Sequence, residues 1–134
     1  MLDNLKNKNK KLHRLVRHEE YIILKYLANM QQVVHYFLHL VFPFIIAFIF
    51  FRKNFLKVYF IFLLTMLVDL DHLVAVPLFD PCRCSIGFHP LHSYYAIGVY
   101  IIAFFIPRTR VIALGLLMHM ATDAIDCKWM LLNC

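Results

Sequence analysis

Glycine is scarce in this chain, at three residues in 134. Gly-rich loops that cradle phosphates are thereby excluded. Charge is scarce as well: Asp, Glu, Lys and Arg make up 16%, where an average soluble domain carries about 25%. No Glu lies beyond Glu20. That removes the Glu-x-x-His pairs of di-iron carboxylate proteins and the H-E-x-x-H helix of metalloproteases. The four cysteines include no C-x-x-C pair, so a four-cysteine zinc knot is excluded. Alternation of apolar and polar residues is missing, and with it the case for a β-barrel. No internal repeat is visible. The N-terminal stretch lacks an apolar core followed by a small-residue cleavage site, so it does not read as a secretory signal.

Apolar residues are abundant. They make up 62% of the chain, with 16% aromatic, and the mean hydropathy is +0.67. The length suits one domain. Such a composition points to lipid as the solvent for most of the chain and excludes disorder outside the N-terminal stretch. The formal net charge of +6 is unevenly placed. Lys6, Lys8, Lys10, Lys11, Arg14, Arg17 and Lys25 supply half of the cations. The run NKNKKLHRLVR has no interleaved aromatics and no nucleic-acid-binding motif, so no nucleic-acid partner is expected. It reads as a solvated tail or a helix lying on anionic lipid. The expected organisation is a basic polar tail or interfacial helix at 1–32 and a membrane domain at 33–134. Met30 is an alternative start of translation.

Four apolar segments follow, at about 33–51, 55–79, 93–106 and 111–132. A helical span needs about 20 residues, so the third must recruit Leu91 and His92 or sit in a thinned bilayer. Helices satisfy backbone hydrogen bonds in hydrocarbon. The expected fold is therefore all-α, a four-helix transmembrane bundle with a basic N-terminal tail. Pro43 is expected to kink the first span and Pro77 to end the second. Short connections at 52–54 and 107–110 contrast with a long one, DPCRCSIGFHPLHS, at 80–93. An even number of spans puts both chain ends and this long loop on one side.

Polar residues inside the spans are costly, an Asp at a helix centre by about 2.5–3.5 kcal/mol on insertion scales. This chain places His35, His39, Asp69, Asp71, His72, His119, Asp123 and Asp126 there, with His89 and His92 just before the third span. Because the helices alternate in direction, all of them fall in the membrane half nearest the long loop. The pattern reads as a polar cavity opening to that side. Residues three or four apart share a helix face. His35 with His39, Asp69 with His72, His89 with His92, and His119 with Asp123 are such pairs. Each helix thus offers imidazole or carboxylate ligands to Zn²⁺, with Mn²⁺ or Fe²⁺ as alternatives, and a cation would offset the buried carboxylates. One or two ions are expected. The candidate ligands are His35, His39, Asp69, Asp71, His72, His89, His92, His119 and Asp123. On a regular helix Asp71 points away from Asp69, which suggests an outer-layer role or a broken turn. Asp71 or His89 is the candidate general base or proton shuttle.

Cys82 and Cys84 lie in the long loop, and Cys127 and Cys134 at the end of the fourth span. On an oxidising side they would staple the loop to that helix. On a reducing side they would be free thiols, and metal ligation is the third possibility.

VDLDH (68–72), FHPLHS (88–93) and GLLMHMATD (115–123), with HYFLH (35–39), resemble the signature of the membrane-bound metal-dependent hydrolases. These are small four-span bacterial proteins with a D-x-D-H motif and a late H-x-x-x-D helix. The order of motifs is most similar to a compact uncharacterised branch from the Bacteroidetes group. The likeness covers about residues 30–130 and extends, more distantly, to the zinc ligands of phospholipase C. The loop departs from the family pattern: Pro90 follows His89, and Leu91 precedes His92. The resemblance implies a hydrolase in the bacterial inner membrane, in contact with membrane lipids. It would cleave a lipid-borne ester or phosphoester, or a related small molecule, through a metal-bound water. A metal-ion or proton transporter, a histidine-ligated redox protein and a structural or partner-binding protein are the competing readings. Asp69, Asp71 and Asp123 argue against haem, and the apolar far half of the spans argues against a transport path. Cationic residues flank both sides nearly equally, so the side that the site faces stays open.

Overall fold

Apolar runs without strand-like alternation fold as helices, and every regular element among the described residues of this computed structural model is helical. The described residues are 2–77 and 82–133, with side chains described for 16–27, 29–77 and 82–131. The side chains of Lys6, Lys8, Lys10, Lys11 and Arg14, residues 78–81 at the end of the second apolar segment and the start of the long loop, and Cys134 lie outside this description. The chain divides into two compact units, 1–33 and 34–134. In the first, helix α1 (Leu2–Tyr36) carries the basic stretch, and its side chains from Val16 to Leu27 are exposed.

In the second unit, α1 gives way to a π-helical turn, Phe37–Val41, before α2 (Phe42–Phe50). Pro43 explains the change. Proline has no N–H to return to the carbonyl of His39, and its ring would clash there. The chain widens by one residue instead, and the Phe42 N–H bonds the carbonyl of Phe37. Such π-bulges gather at functional sites, and this one carries His39. Helix α3 (Phe55–Thr65) follows a turn at 51–54. The second expected span then departs from a regular helix. From Met66 to Val74 the backbone tightens into a 3-10 helix, which ends before Pro77. A short 3-10 turn, Pro90–His92, leads into α4 (Tyr94–Phe105). The Ser93 side chain caps α4 by accepting the Ala96 N–H at 3.2 Å. Helix α5 (Arg110–Asn133) completes the unit.

At one end of this unit Ala47, Val58 and Phe62 are buried against Phe51, Phe55, Tyr59 and Met118. Gly115 lets α5 close on α3, because an added Cβ would lie 2.8 Å from Thr65 Oγ1 and 3.0 Å from Phe62 Cδ1. Outward positions are apolar too: Phe44, Phe48, Leu56, Phe60, Leu64, Val99, Ile102 and Phe105 are exposed. By length and composition one stretch, Val16–Phe50, is able to cross a membrane, and α4 is a shorter apolar helix.

Candidate metal centre

The polar residues foreseen in the spans converge at the other end of the second unit. The 3-10 helix makes residues three apart eclipse. Thr65, Val68 and Asp71 form one buried row, and Met66, Asp69 and His72 lie beside it. Asp69 and Asp71 stand about 120° apart on this helix, against about 160° on a regular one, and both reach His92. The backbone at Asp71 departs from a regular helix, as the broken-turn reading expected.

His92 is fully buried, at 0% exposure. Its turn is fixed from three directions. Gly87, at φ +82°, gives its N–H to the His92 carbonyl at 3.0 Å. Only glycine adopts that φ without strain. The Tyr100 hydroxyl donates to the Leu91 carbonyl at 3.0 Å. The Leu91 N–H donates to Asp71 Oδ2 at 2.8 Å.

Four ligand atoms, one each from Asp69, His92, His119 and Asp123, lie within 4.8 Å of one another. Asp69 Oδ1 is 3.3 Å from His92 Nε2 and 3.0 Å from His119 Nε2. Asp123 Oδ2 is 3.0 Å from His92 Nε2 and 3.5 Å from His119 Nε2. The two Nε2 atoms are 3.4 Å apart. Ligands about 2.0–2.1 Å from a tetrahedral zinc stand about 3.3 Å from one another, so the observed edges suit such an ion.

With His92 neutral, hydrogen bonding alone does not account for this cage. His92 Nδ1 faces Asp71 Oδ2 at 3.2 Å, a carboxylate that can only accept. Nδ1 therefore carries the ring's proton in the neutral tautomer, and Nε2 presents its lone pair to two carboxylates. His119 Nε2 lies close to Asp69, Asp123 and His92 together, and one N–H cannot serve three acceptors. Asp123 Oδ2 is buried without a hydrogen bond of acceptable geometry, although His92 Nε2 is 3.0 Å away. A cation would satisfy all four atoms at once.

Asp71 stands behind the cage. Oδ2 holds His92 and Leu91, and Oδ1 accepts from His72 Nδ1 at 3.1 Å. Carboxylates commonly orient ligating imidazoles in this way. His72 is also 3.1 Å from the Ser85 hydroxyl through Nε2. Together with Asp71 and His92 it forms another group of potential ligands. His89 is buried but belongs to none of these groups. Its ring stacks on His72 at 3.8 Å between centroids. Burial, and then the neighbouring His72, push the His89 imidazole below its ordinary value. His35 and His39 meet Asp123 in a third group.

Sequence reasoning placed Asp126 among the polar residues but outside the ligands. It lies 2.9 Å from His35 Nδ1, and its position three residues beyond Asp123 was the available signal. Cys84 and Cys127 form a disulfide that ties the loop to α5 four residues past Asp123. Cys82 is disulfide-bonded as well, so neither free thiols nor metal ligation describes these three cysteines.

No curated protein and no solved structure shows a significant match to this chain. The metal-dependent hydrolases stay a resemblance of motifs. The pattern of one family, described as a family of unknown function, matches residues 29–130. The chain belongs to that family, DUF6122.

Proposed function

We propose that the protein is an integral membrane, metal-dependent hydrolase of the bacterial inner membrane. Asp69, His92, His119 and Asp123 would hold the ion, and zinc fits the two nitrogen and two oxygen donors. The observation that carries this reading is the His/Asp cage, whose four ligand atoms lie within 4.8 Å of one another. A divalent cation supplies a water that ionises near neutral pH. Asp71 keeps the His92 ring in position and its Nε2 unprotonated. Because both Asp71 oxygens are engaged, it is a positioning residue and not the base. His72, partly exposed beside the cage, and His89 stacked on it offer the route by which a proton leaves.

The membrane reading is supported by the exposed apolar residues on the outer faces of α2, α3 and α4. In this reading the four helical segments cross the bilayer, some of them short or broken. The site then lies in the half nearest the 75–93 loop, within reach of lipid-borne esters or phosphoesters. The disulfide at Cys84 favours an oxidising compartment on that side.

The test is elemental analysis of the detergent-purified chain, followed by assay against phospholipid and acylglycerol substrates with and without chelator. One or more equivalents of zinc or manganese are expected, together with chelator-sensitive hydrolysis. His119→Ala should lose both while eluting like the parent. A chain that takes up no metal, even after reconstitution, would overturn the assignment.

A further inference from the structure

The cage uses one oxygen of Asp123, and the other faces a second set of ligands. Oδ1 is 3.4 Å from His39 Nε2, whereas Oδ2 is 3.5 Å from His119 Nε2. The two imidazoles are stacked nearly parallel, 11° apart with centroids separated by 4.5 Å. Each ring therefore offers its Nε2 to a different oxygen of the same carboxylate. His35 completes the second set. Its ring lies 4.3 Å from that of His39, and one ligand atom from each of His35, His39 and Asp123 fits within 4.8 Å.

This set also lacks protons in the right places. His39 is 4% exposed, and its Nε2 has no hydrogen-bond partner among the described residues. Its nearest carboxylate oxygen lies within contact distance but out of line for an N–H. His35 Nδ1 is in the same condition, although Asp126 Oδ2 is 2.9 Å away. Hydrophobic surroundings do not leave two imidazole nitrogens unsatisfied beside carboxylates without cost. The π-turn that displaces His39 from a regular helix is itself a costly feature.

We propose that His35, His39 and Asp123 bind a second divalent cation, with Asp123 bridging it to the ion held by Asp69, His92 and His119. Asp126, against His35, either ligates this cation or orients the ring. The inference rests on the metal reading of the first cage. Paired cations about 3.5–4 Å apart clamp the attacking and leaving oxygens of a phosphoester or ester displacement. Two stacked imidazoles joined through one carboxylate suit that spacing.

The test is a metal count on the full chain, stripped of metal, titrated with Zn²⁺ alone and measured by elemental mass spectrometry. Two ions per chain are expected for the parent. One is expected for His39→Ala and for His35→Ala, whose less buried ring makes it the safer variant for folding. Loading with Mn²⁺ gives an independent readout. The parent should show a spin-coupled pair by electron paramagnetic resonance, and His35→Ala the resolved hyperfine pattern of an isolated ion. A single ion in parent and variants alike would overturn the second site and leave the first standing. Two ions retained in both variants would also overturn it, because the second ion would then sit elsewhere. No ion in the parent would overturn both sites.

Discussion

The two ends of the helical unit at 34–134 are built from opposite materials. At one end Ala47, Val58 and Phe62 are buried among Phe55, Tyr59 and Val111, and among the described residues no Asp, Glu, His, Lys or Arg joins that cluster. At the other, His39, His89, His92, His119, Asp71 and Asp123 are buried together. Helix α5 runs through both, and α3 leads from the first into the 3-10 helix of the second. The apolar end is held by close contact of complementary shapes, which needs nothing from outside the chain. The polar end gathers imidazole and carboxylate ligand atoms that could hold a metal ion. If that division is real, the two ends should fail separately.

Phe62→Ala should have the largest effect on stability. Phe62 is 3% exposed, and removing a buried aromatic ring costs about 3 kcal/mol where the cavity stays open. Unfolding in detergent should show that loss while metal content stays at the parent value. Metal lost together with stability would mean that the ends are one unit. Gly115→Ala comes next, because it sits at the junction. Its new Cβ would meet Thr65 and Phe62, and Thr65 cannot easily yield, since its hydroxyl donates to the Phe62 carbonyl at 2.6 Å. Forcing α5 away from α3 costs about 2 kcal/mol as overpacking. It should also move His119, one turn along α5, relative to Asp69. This variant is expected to lower both melting temperature and metal affinity, and a change in only one of them would place the junction elsewhere.

Much of the polar end was legible because helical spacing alone pairs its residues. His35 with His39 and His119 with Asp123 share faces in any helix, and the common depth of the pairs pointed to one cavity. What was not legible is the 3-10 backbone from Met66 to Val74, which the apolar pattern of MLVDLDHLV does not announce, so an outer-layer role and a broken turn both stood open for Asp71. Nor was the order of the loop histidines. The pair spacing gave His89 and His92 equal standing, but the turn held by Gly87 and Tyr100 buries His92 in the cage and leaves His89 stacked on His72. The cysteine pairing depends on distance across the fold. Cys84 and Cys127 are 43 residues apart in sequence, with Cα atoms 5.0 Å apart. The regular second span at 55–79 rested on hydropathy, and the division at residues 32 and 33 on hydropathy together with charge. Neither property records where a backbone tightens.

The smallest expected effect separates orientation from ligation. Asp71 touches no atom of the proposed ion's cage except through His92, so Asp71→Asn should leave the fold and the metal count unchanged. The asparagine carbonyl can still accept from His92 Nδ1 and the Leu91 N–H, but its amide cannot accept from His72 Nδ1 as the second carboxylate oxygen does. The ring then loses part of its restraint and of its basicity. Loss of such an outer carboxylate weakens metal binding about 10–100-fold. The retained carbonyl puts this variant near tenfold, or about 1.4 kcal/mol. Competition with a chelator of known affinity reads that shift directly, and Asp71→Ala, which keeps neither oxygen, should lie at the upper end. Equal affinities for parent and both variants would show that His92 is held by its buried turn alone. Complete loss of metal in Asp71→Asn would instead make Asp71 a ligand, and the polar end would have to be redrawn around it.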